Sequence, residues 1–394
     1  DARLAAVVFA CHWVIVTVVA AVASNYAVAL PEVPTAGYRL PPLTGWQAWL
    51  VQPLRNWDGY WYGLIAEQGY AYHPATTAFW PLYPWVMSLG SQVSGLSVEL
   101  VGLLLSNLAF FLALVALHEL VRGQVNADVA KHTLWLTALF PTAFYFSAVY
   151  TESVFLLFSV LAFQQAQRGR WQWAGTAGAF AALTRNAGGL LVVPLLVLVI
   201  ARHGRNPRRW PRGAFAVLMP AAAASTYLAY LWLVWGDPFL TFKIQSNWGR
   251  SFALPWHTFA MTWDQLRFDW VSAIISAPGW RTLTSYNVRW SFAEHESLDV
   301  AAALVAAMLL VVCFRRLPFA WGLWCLLVLV PPLFSPSQQH PLMSMPRYML
   351  VLFPLFVAWA TLLHRRWTRV ATYVGCILLL CVLTTQFATW FWVA

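Results

Sequence analysis

Charged residues are scarce in this sequence. Of its 394 residues, 10% are charged and 60% are hydrophobic, whereas a typical soluble domain has roughly 25% charged residues. No segment of ordinary soluble composition is long enough to form a separate domain, which excludes a soluble multidomain enzyme. Apolar stretches long enough to cross a bilayer recur along the chain. The composition therefore predicts an all-α, polytopic membrane protein that forms one domain over residues 1–394.

Cysteine is also scarce. The chain has five cysteines, and each falls within a predicted membrane span: Cys11, Cys313, Cys325, Cys376 and Cys381. This distribution excludes a disulfide framework and a CxxC zinc site. No other ligand spacing typical of a metal site is present, so we expect no metal and no cofactor.

Eleven membrane spans are predicted, so the two termini lie on opposite sides; the charge distribution described below favours a cytoplasmic N-terminus and a C-terminus outside the cytoplasm. They cover approximately 4–24, 98–121, 130–148, 151–168, 172–186, 188–203, 213–236, 298–314, 318–334, 347–363 and 369–391. The first is interpreted as a retained span because no small-residue cleavage site follows it. With this topology the inner segments hold fifteen of the 24 Lys and Arg residues and three of the 14 acidic residues. Basic inner segments are typical of membrane proteins, so the formal charge of +10 does not indicate nucleic-acid binding.

Two long outer loops, 25–97 and 237–297, are rich in tryptophan. In each loop, large apolar residues recur at helical spacing, which predicts an amphipathic helix lying in the outer interface. These residues are Trp57, Tyr60, Trp61, Leu64 and Ile65 in the first loop, and Trp263, Leu266, Trp270 and Ile274 in the second. The segment 79–94 is apolar but short and contains prolines, so we interpret it as interfacial or re-entrant.

Asp58 is the leading candidate for a catalytic residue. It lies in the first outer loop, close to the membrane, where a carboxylate is costly unless it is solvated, paired or functional. It lies at the start of the predicted helix, so the positive helix N-terminus is sufficient to explain an acidic residue, and Asn56 is a possible cap. The functional alternative is a general base that removes a proton from a sugar hydroxyl.

Three further charged residues lie at predicted outer span ends. Glu152 is in a short turn, where it either favours the dipole of the next helix or contacts a sugar or acceptor. Arg185 and Arg347 are unusual for outer positions, which suggests an anionic partner such as a phosphate. Snorkelling or pairing with an acidic residue is the alternative. If Arg347 is structural, the phosphate contact is expected at Arg185 or in the second long loop, where Lys243 and Arg250 are the next candidates.

Aromatic residues and one histidine complete the candidate set. Trp57, Trp61 and Tyr62 flank Asp58 and are candidates for sugar or acceptor binding, although most tryptophans of such a protein form an interfacial belt. His340 lies in the outer loop before Arg347 and is a weaker candidate for the same role.

The chain resembles the PIG-V-type mannosyltransferases of the GT-C class of membrane glycosyltransferases. The motifs that carry the resemblance are Trp57-Asp58-Gly59, Trp61-Tyr62, Ile65-Ala66, Gly69-Tyr70, Ala78-Phe79-Trp80-Pro81-Leu82-Tyr83-Pro84, Phe140-Pro141-Thr142, Ser147-Ala148, Tyr150-Thr151-Glu152-Ser153, Thr184-Arg185-Asn186, Gly188, Arg347-Tyr348 and Phe353-Pro354. The resemblance implies a GT-C helical bundle and an inverting transfer of mannose from a polyprenyl-phosphate-mannose donor. It also implies that the transfer occurs outside the cytoplasm and that Asp58 is the base.

The acceptor, the linkage and the oligomeric state are left open by the sequence. We expect a glycolipid or glycan acceptor, contacts with membrane lipids, and a bacterial enzyme of the plasma membrane, because the chain is compact and has no long insertions. One alternative is the same architecture transferring arabinose or glucose. The other is a flippase or transporter of lipid-linked sugars, although a transporter should place polar residues near the bilayer midplane.

Overall fold

The computed structural model describes residues 2–26, 38, 40–275 and 296–393. Within these ranges every regular element is a helix, and one isolated bridge pairs Arg250 with Ser337. The α-helices are α1 (Ala2–Ser24), α2 (Trp46–Leu50), α3 (Asp58–Gln68), α4 (Leu82–Ser94), α5 (Val98–Gln124), α6 (Ala127–Leu139), α7 (Glu152–Gln167), α8 (Trp171–Thr184), α9 (Val192–His203), α10 (Met219–Trp235), α11 (Leu240–Lys243), α12 (Pro255–Ile275), α13 (Glu296–Arg316), α14 (Phe319–Leu329), α15 (Met345–Leu350), α16 (Phe353–Ala360) and α17 (Arg366–Ala388). The predicted all-α fold class is confirmed.

Six helical segments in the described ranges are long and apolar enough to cross a membrane. They are Ala2–Ser24, Val98–Gln124, Asn186–His203, Arg212–Trp235, Glu296–Arg316 and Arg366–Ala388, and the apolar segment Phe319–Phe334 is shorter. All eleven predicted spans coincide with helical segments, but several of these segments are short, so the number of crossings stays a prediction.

Two of the predicted spans are interrupted at proline. The third predicted span is helical only to Leu139, and Phe140 is extended (ψ 143°) immediately before Pro141. A residue before proline is biased away from the helical region, which explains the break. The tenth predicted span is divided into α15 and α16, and α16 has Pro354 in its first turn. The chain after the first break leads to Glu152 at the start of α7, and Arg347 lies in α15 just before the second.

The helix predicted around Trp61 exists as α3, but it is not amphipathic. Trp61, Leu64 and Ile65 are buried, and so are Gly59 and Gly63 on the rest of its surface. A Cβ at Gly63 would lie 2.9 Å from Leu40 Cδ1, so glycine allows close packing on a side that the apolar spacing predicts to be exposed. The prediction that α3 lies with one face in the interface is therefore wrong, because α3 is enclosed by the protein.

The other interfacial predictions have mixed outcomes. A helix is present over Pro255–Ile275, and Trp263 on it is exposed. The side chains of Trp270 and Ile274 lie outside the described residues. The segment 79–94 contains α4, whose 13 residues are too few to cross a bilayer.

The site is placed by a central group of helices, in which α7 packs against both α5 and α8. Glu152 begins α7, and Arg185 directly follows α8. The chain after α8 turns back closely at Gly188, where a Cβ would lie 2.3 Å from the backbone oxygen of Ala181. Only glycine fits this approach, which explains a glycine three residues after Arg185. The start of α7 and the end of α8 therefore meet at one end of the bundle.

Candidate active site

Four charged side chains meet in one buried network. Arg347 donates from Nη1 to Asp58 Oδ2 (2.7 Å), from Nη2 to Glu152 Oε1 (2.8 Å), and from Nε to the same Glu152 oxygen (3.0 Å). Arg185 Nη1 donates to Glu152 Oε1 (2.6 Å) and to Thr151 Oγ1 (3.3 Å). The Glu152 side chain is fully buried, and 8% of the Arg347 side chain is exposed. Asp58, Glu152, Arg185 and Arg347, which were predicted at outer positions, thus belong to one contact network.

The network is electrically balanced, because two carboxylates meet two guanidinium groups. Pairing of Arg185 and Arg347 with acidic residues, which the sequence left as an alternative, is what the structure shows. A balanced network lowers the cost of burying each charge. It also means that neither arginine offers an uncompensated positive charge to a ligand, so their predicted role as phosphate contacts stays a prediction.

Asp58 is held by bonds to its backbone as well as to its side chain. Its N–H donates to Tyr150 Oη (3.0 Å), and that hydroxyl donates to the Asn56 carbonyl (2.9 Å). Asn56 does not cap α3: its Nδ2 donates to the carbonyls of Phe387 (3.0 Å) and Ala388 (3.3 Å) at the end of α17. The position of Asp58 therefore depends on both the turn before α7 and the end of α17.

Aromatic rings enclose the network. The Arg347 guanidinium carbon lies 4.8 Å from the Tyr145 ring centroid and 5.1 Å from that of Tyr150, as in cation–π contacts. Burial, followed by the negative charges of Glu152 and Asp58, raises the pKa of Tyr62. Burial also raises the pKa of Tyr150, with Asp58 as the next cause. Both phenols stay protonated at neutral pH, so the Tyr150 hydroxyl can donate to Asn56 while it accepts from the Asp58 N–H.

Strained backbone occurs at this site. Three non-glycine residues in the described ranges have positive φ: Trp57 (60°), Ser344 (72°) and Trp390 (67°). Trp57 directly precedes Asp58, and its ring centroid lies 5.7 Å from that of Trp390. Such conformations cost of order 1–3 kcal/mol each and cluster at functional sites. Their concentration around Asp58 supports a functional role for this region.

A cavity of about 570 Å³ adjoins the network. Its charged lining residues are Asp58, Arg185, Arg250 and Arg347, and Tyr62, Trp80, Trp248 and Trp392 add aromatic surface. Another part of the wall is apolar. It is formed by residues of α10 and α14, of the turn before α9 and of the turn after α14: Ala224, Leu228, Val328, Leu190, Pro331 and Pro332. The cavity is of the size that holds small ligands, and it combines a few charges with apolar surface.

The remaining predicted residues lie around the cavity. Glu152 is behind its wall and reaches it through the two arginines. Trp57 packs on Trp390 and Trp392, and Trp61 stacks on Phe79 with an interplanar angle of 20°. His340 does not line the cavity; its Nδ1 lies 3.8 Å from Glu296 Oε2.

Trp392 and the chain around it are site features that the sequence did not indicate. Trp392 lines the cavity, and its ring meets Trp57 edge to face with centroids 5.1 Å apart. The Tyr145 hydroxyl donates to the Val393 carbonyl. No local pattern marks residues just after a predicted last span as part of a site. Their role follows only from the packing of α17 against the first outer loop.

The described residues thus form an apolar helical protein with a cavity that joins a carboxylate, arginines and an apolar wall. Residues 16–202 match the family model described as Mannosyltransferase (PIG-V). The predicted resemblance to PIG-V-type mannosyltransferases is thereby confirmed.

Curated relatives agree with this family. The chain is 33% identical over 35% of its length to the GPI alpha-1,6-mannosyltransferase 2 of Mus musculus, of which the match covers 30%. It is 26% identical over 45% of its length to the GPI mannosyltransferase 2 of Yarrowia lipolytica, of which the match covers 49%. The chain thus matches less than half of the length of each relative.

Solved structures resemble the overall fold loosely. One is ArnT from Cupriavidus metallidurans bound to undecaprenyl phosphate, with TM-score 0.40, 15% identity, and coverage of 95% of this chain and 77% of ArnT. Another is the oligosaccharyltransferase AglB from Archaeoglobus fulgidus with an inhibitory peptide and a dolichol-phosphate, with TM-score 0.42, 14% identity, and coverage of 97% and 56%. Similarity at this level carries no information about the substrate.

Proposed function

We propose that the protein is an inverting mannosyltransferase that uses a polyprenyl-phosphate-mannose donor. The observation that carries the proposal is the buried Asp58–Arg347–Glu152–Arg185 network at the wall of a cavity that is apolar on another side. The apolar wall suits a lipid-linked substrate, and the matched mannosyltransferase family supports mannose as the sugar. The acceptor is a glycolipid or glycan.

Asp58 is the proposed general base. Arg347 donates a hydrogen bond to Oδ2 of Asp58. In the described part of the chain no hydrogen bond is made to Oδ1 of Asp58, so this oxygen is available to accept a proton. In the proposed step, the acceptor hydroxyl transfers its proton to Asp58 and its oxygen bonds to the anomeric carbon. The bond from that carbon to the phosphate oxygen breaks on the opposite face, so the configuration inverts and the lipid phosphate leaves with the electron pair.

The arginines have an electrostatic role in this proposal. Arg347 binds Asp58, and Glu152 fixes both arginines, so the charges are in place before the reaction begins. We place the cavity on the extracytoplasmic side of a bacterial plasma membrane, with the N-terminus in the cytoplasm and the C-terminus outside, because basic residues concentrate in the predicted inner segments. Neither a metal nor a cofactor is needed for this chemistry.

The first test is transfer by purified protein in detergent from polyprenyl-phosphate-mannose to membrane glycolipids, with Asp58→Asn as the variant. We expect this substitution to lower kcat by at least about 10²-fold, the minimum usual for a lost general base, while the protein elutes as wild type in size-exclusion chromatography. Near-normal turnover by folded Asp58→Asn protein would remove Asp58 from the mechanism.

The donor sugar is tested in the same assay. Donors that carry glucose or arabinose should be transferred poorly, and efficient transfer of either would replace mannose in the proposal. A protein that neither transfers nor hydrolyses any donor, but moves the lipid across vesicles, would be a transporter. Mass spectrometry of glycolipids from a deletion strain should show a species that lacks one hexose, which identifies the acceptor.

A further inference from the structure

One of the three arginines that line the cavity differs from the other two in its partners. Arg185 and Arg347 each donate to a carboxylate and belong to the balanced network. Arg250 lines the same cavity, and no ion pair joins it to an acidic residue in the part of the chain that the structure describes. The cavity and its network therefore carry one positive charge in excess, and this charge belongs to Arg250.

The guanidinium of Arg250 is held in place by backbone atoms. Its Nη1 donates to the Ser335 carbonyl (3.0 Å), and its Nη2 donates to the Met343 carbonyl (3.0 Å). In the described residues Asp299 makes no hydrogen bond to Arg250, and its Oδ1 accepts from the Met345 N–H (3.1 Å). A guanidinium has more N–H donors than these two bonds use, so Arg250 is oriented and retains donors for a ligand.

We propose that Arg250 binds the phosphate of the lipid-linked substrate. The proposal deepens the function given above and rests on it for the nature of the lipid. A phosphate monoester needs a cation whose charge is not already compensated, and the planar fork of arginine matches two phosphate oxygens. The charges of Arg347 and Arg185 are already compensated by buried carboxylates, so a phosphate at either arginine would have to share that charge with Glu152 or Asp58.

The surroundings of Arg250 fit an amphiphilic ligand. Trp248 and Gln245 line the cavity beside it, and Leu190, Leu228 and Val328 form part of the apolar wall. An alkyl chain on this wall and a phosphate at Arg250 would place the sugar inside the same cavity as Asp58. The excess charge would also compensate the negative charge that develops on the phosphate as the sugar leaves.

The experiment measures binding without catalysis. Wild-type protein in detergent is titrated with polyprenyl monophosphate, the matching polyprenyl alcohol and inorganic phosphate, with tryptophan fluorescence as the signal. We expect Arg250→Gln to weaken binding of the lipid phosphate by roughly 10–100-fold, as for the loss of a charged hydrogen-bond partner, and Arg250→Lys to weaken it less. Binding of the alcohol should be unchanged. The matched control is Arg267→Gln, an exposed arginine on α12, which should bind all three probes as the wild type does.

The probes separate the possible failures. Unchanged binding of lipid phosphate by Arg250→Gln would overturn the proposal, and so would an equal loss of phosphate and alcohol, which indicates a collapsed cavity. Equal affinity of the wild type for inorganic phosphate and lipid phosphate would overturn the assignment to a lipid headgroup. No probe contains a sugar, so this experiment measures phosphate binding separately from mannose transfer. If binding depends on Arg250 but the protein does not transfer mannose, the proposed function is contradicted and the phosphate site at Arg250 is retained.

Discussion

Replacing Arg347 by alanine should destabilise the folded protein, because the carboxylates of Asp58 and Glu152 would lose the positive charge that they share. Three of its N–H donors contact Asp58 and Glu152 at 2.7–3.0 Å. Their removal leaves two buried negative charges facing the single positive charge of Arg185. Removing one partner of a buried ion pair costs about 3–5 kcal/mol, and we expect Arg347→Ala to lose a similar amount of unfolding free energy.

A second substitution tests whether this cost is electrostatic. In the double variant Asp58→Asn/Arg347→Ala, Glu152 and Arg185 remain as a balanced pair. We therefore expect the double variant to be more stable than the sum of the two single effects predicts, with a coupling free energy of about 1–3 kcal/mol. The double variant should nevertheless be inactive, because an amide in place of the Asp58 carboxylate cannot accept the proton.

The assay is denaturant unfolding in detergent followed by far-ultraviolet circular dichroism, with kcat/KM for the lipid donor measured in parallel. Arg347→Lys should recover only part of the stability, since one ammonium group does not reproduce three directed bonds. Arg208→Ala, at an exposed position in a predicted inner loop, should change stability by less than about 0.5 kcal/mol. Additive effects of the Asp58 and Arg347 substitutions would refute the coupled network.

Three further predictions concern the topology, the metal and the tryptophan cluster. Cysteines introduced at the exposed positions Gln92 and Ser251 should react with a membrane-impermeant thiol reagent in spheroplasts, whereas a cysteine at exposed Gly204 should not. The reverse pattern of labelling would place the cavity on the cytoplasmic side. Transfer should continue at the same rate after dialysis against EDTA, and a loss restored by a divalent cation would show that a metal takes part. Trp392→Ala should raise KM for the acceptor by roughly 2–10-fold, which corresponds to the 0.5–1.5 kcal/mol typical of an aromatic contact. The control Trp173→Ala, at an exposed tryptophan, should leave KM unchanged. Equal KM values for Trp392→Ala and the wild type would exclude Trp392 from acceptor binding.

Local properties of the sequence were sufficient to predict the membrane fold and the leading residues. Span length and composition indicated the helices because a bilayer requires long apolar segments with internally satisfied backbones. The same pattern placed Asp58 in the first outer loop and Glu152, Arg185 and Arg347 at predicted outer span ends, and the structure brings all four together. The spacing of apolar residues predicted that α3 is a helix, but it did not predict that other parts of the protein bury α3. Spacing does not show which segments pack against the side of α3 that carries Gly59 and Gly63.

Only the tertiary structure decided how these charges are paired. Arg347 and Asp58 are separated by 289 positions in the sequence. Whether an arginine meets a carboxylate or remains available to a phosphate depends on the tertiary fold, which brings Arg347 of α15 to Asp58 of α3 and Glu152 of α7. The same packing brings Trp392 from the far end of α17 to the cavity and leaves Arg250 with backbone partners. Burial raises the cost of an unpaired charge, so the partner of each arginine, which the sequence does not specify, determines what that arginine can bind.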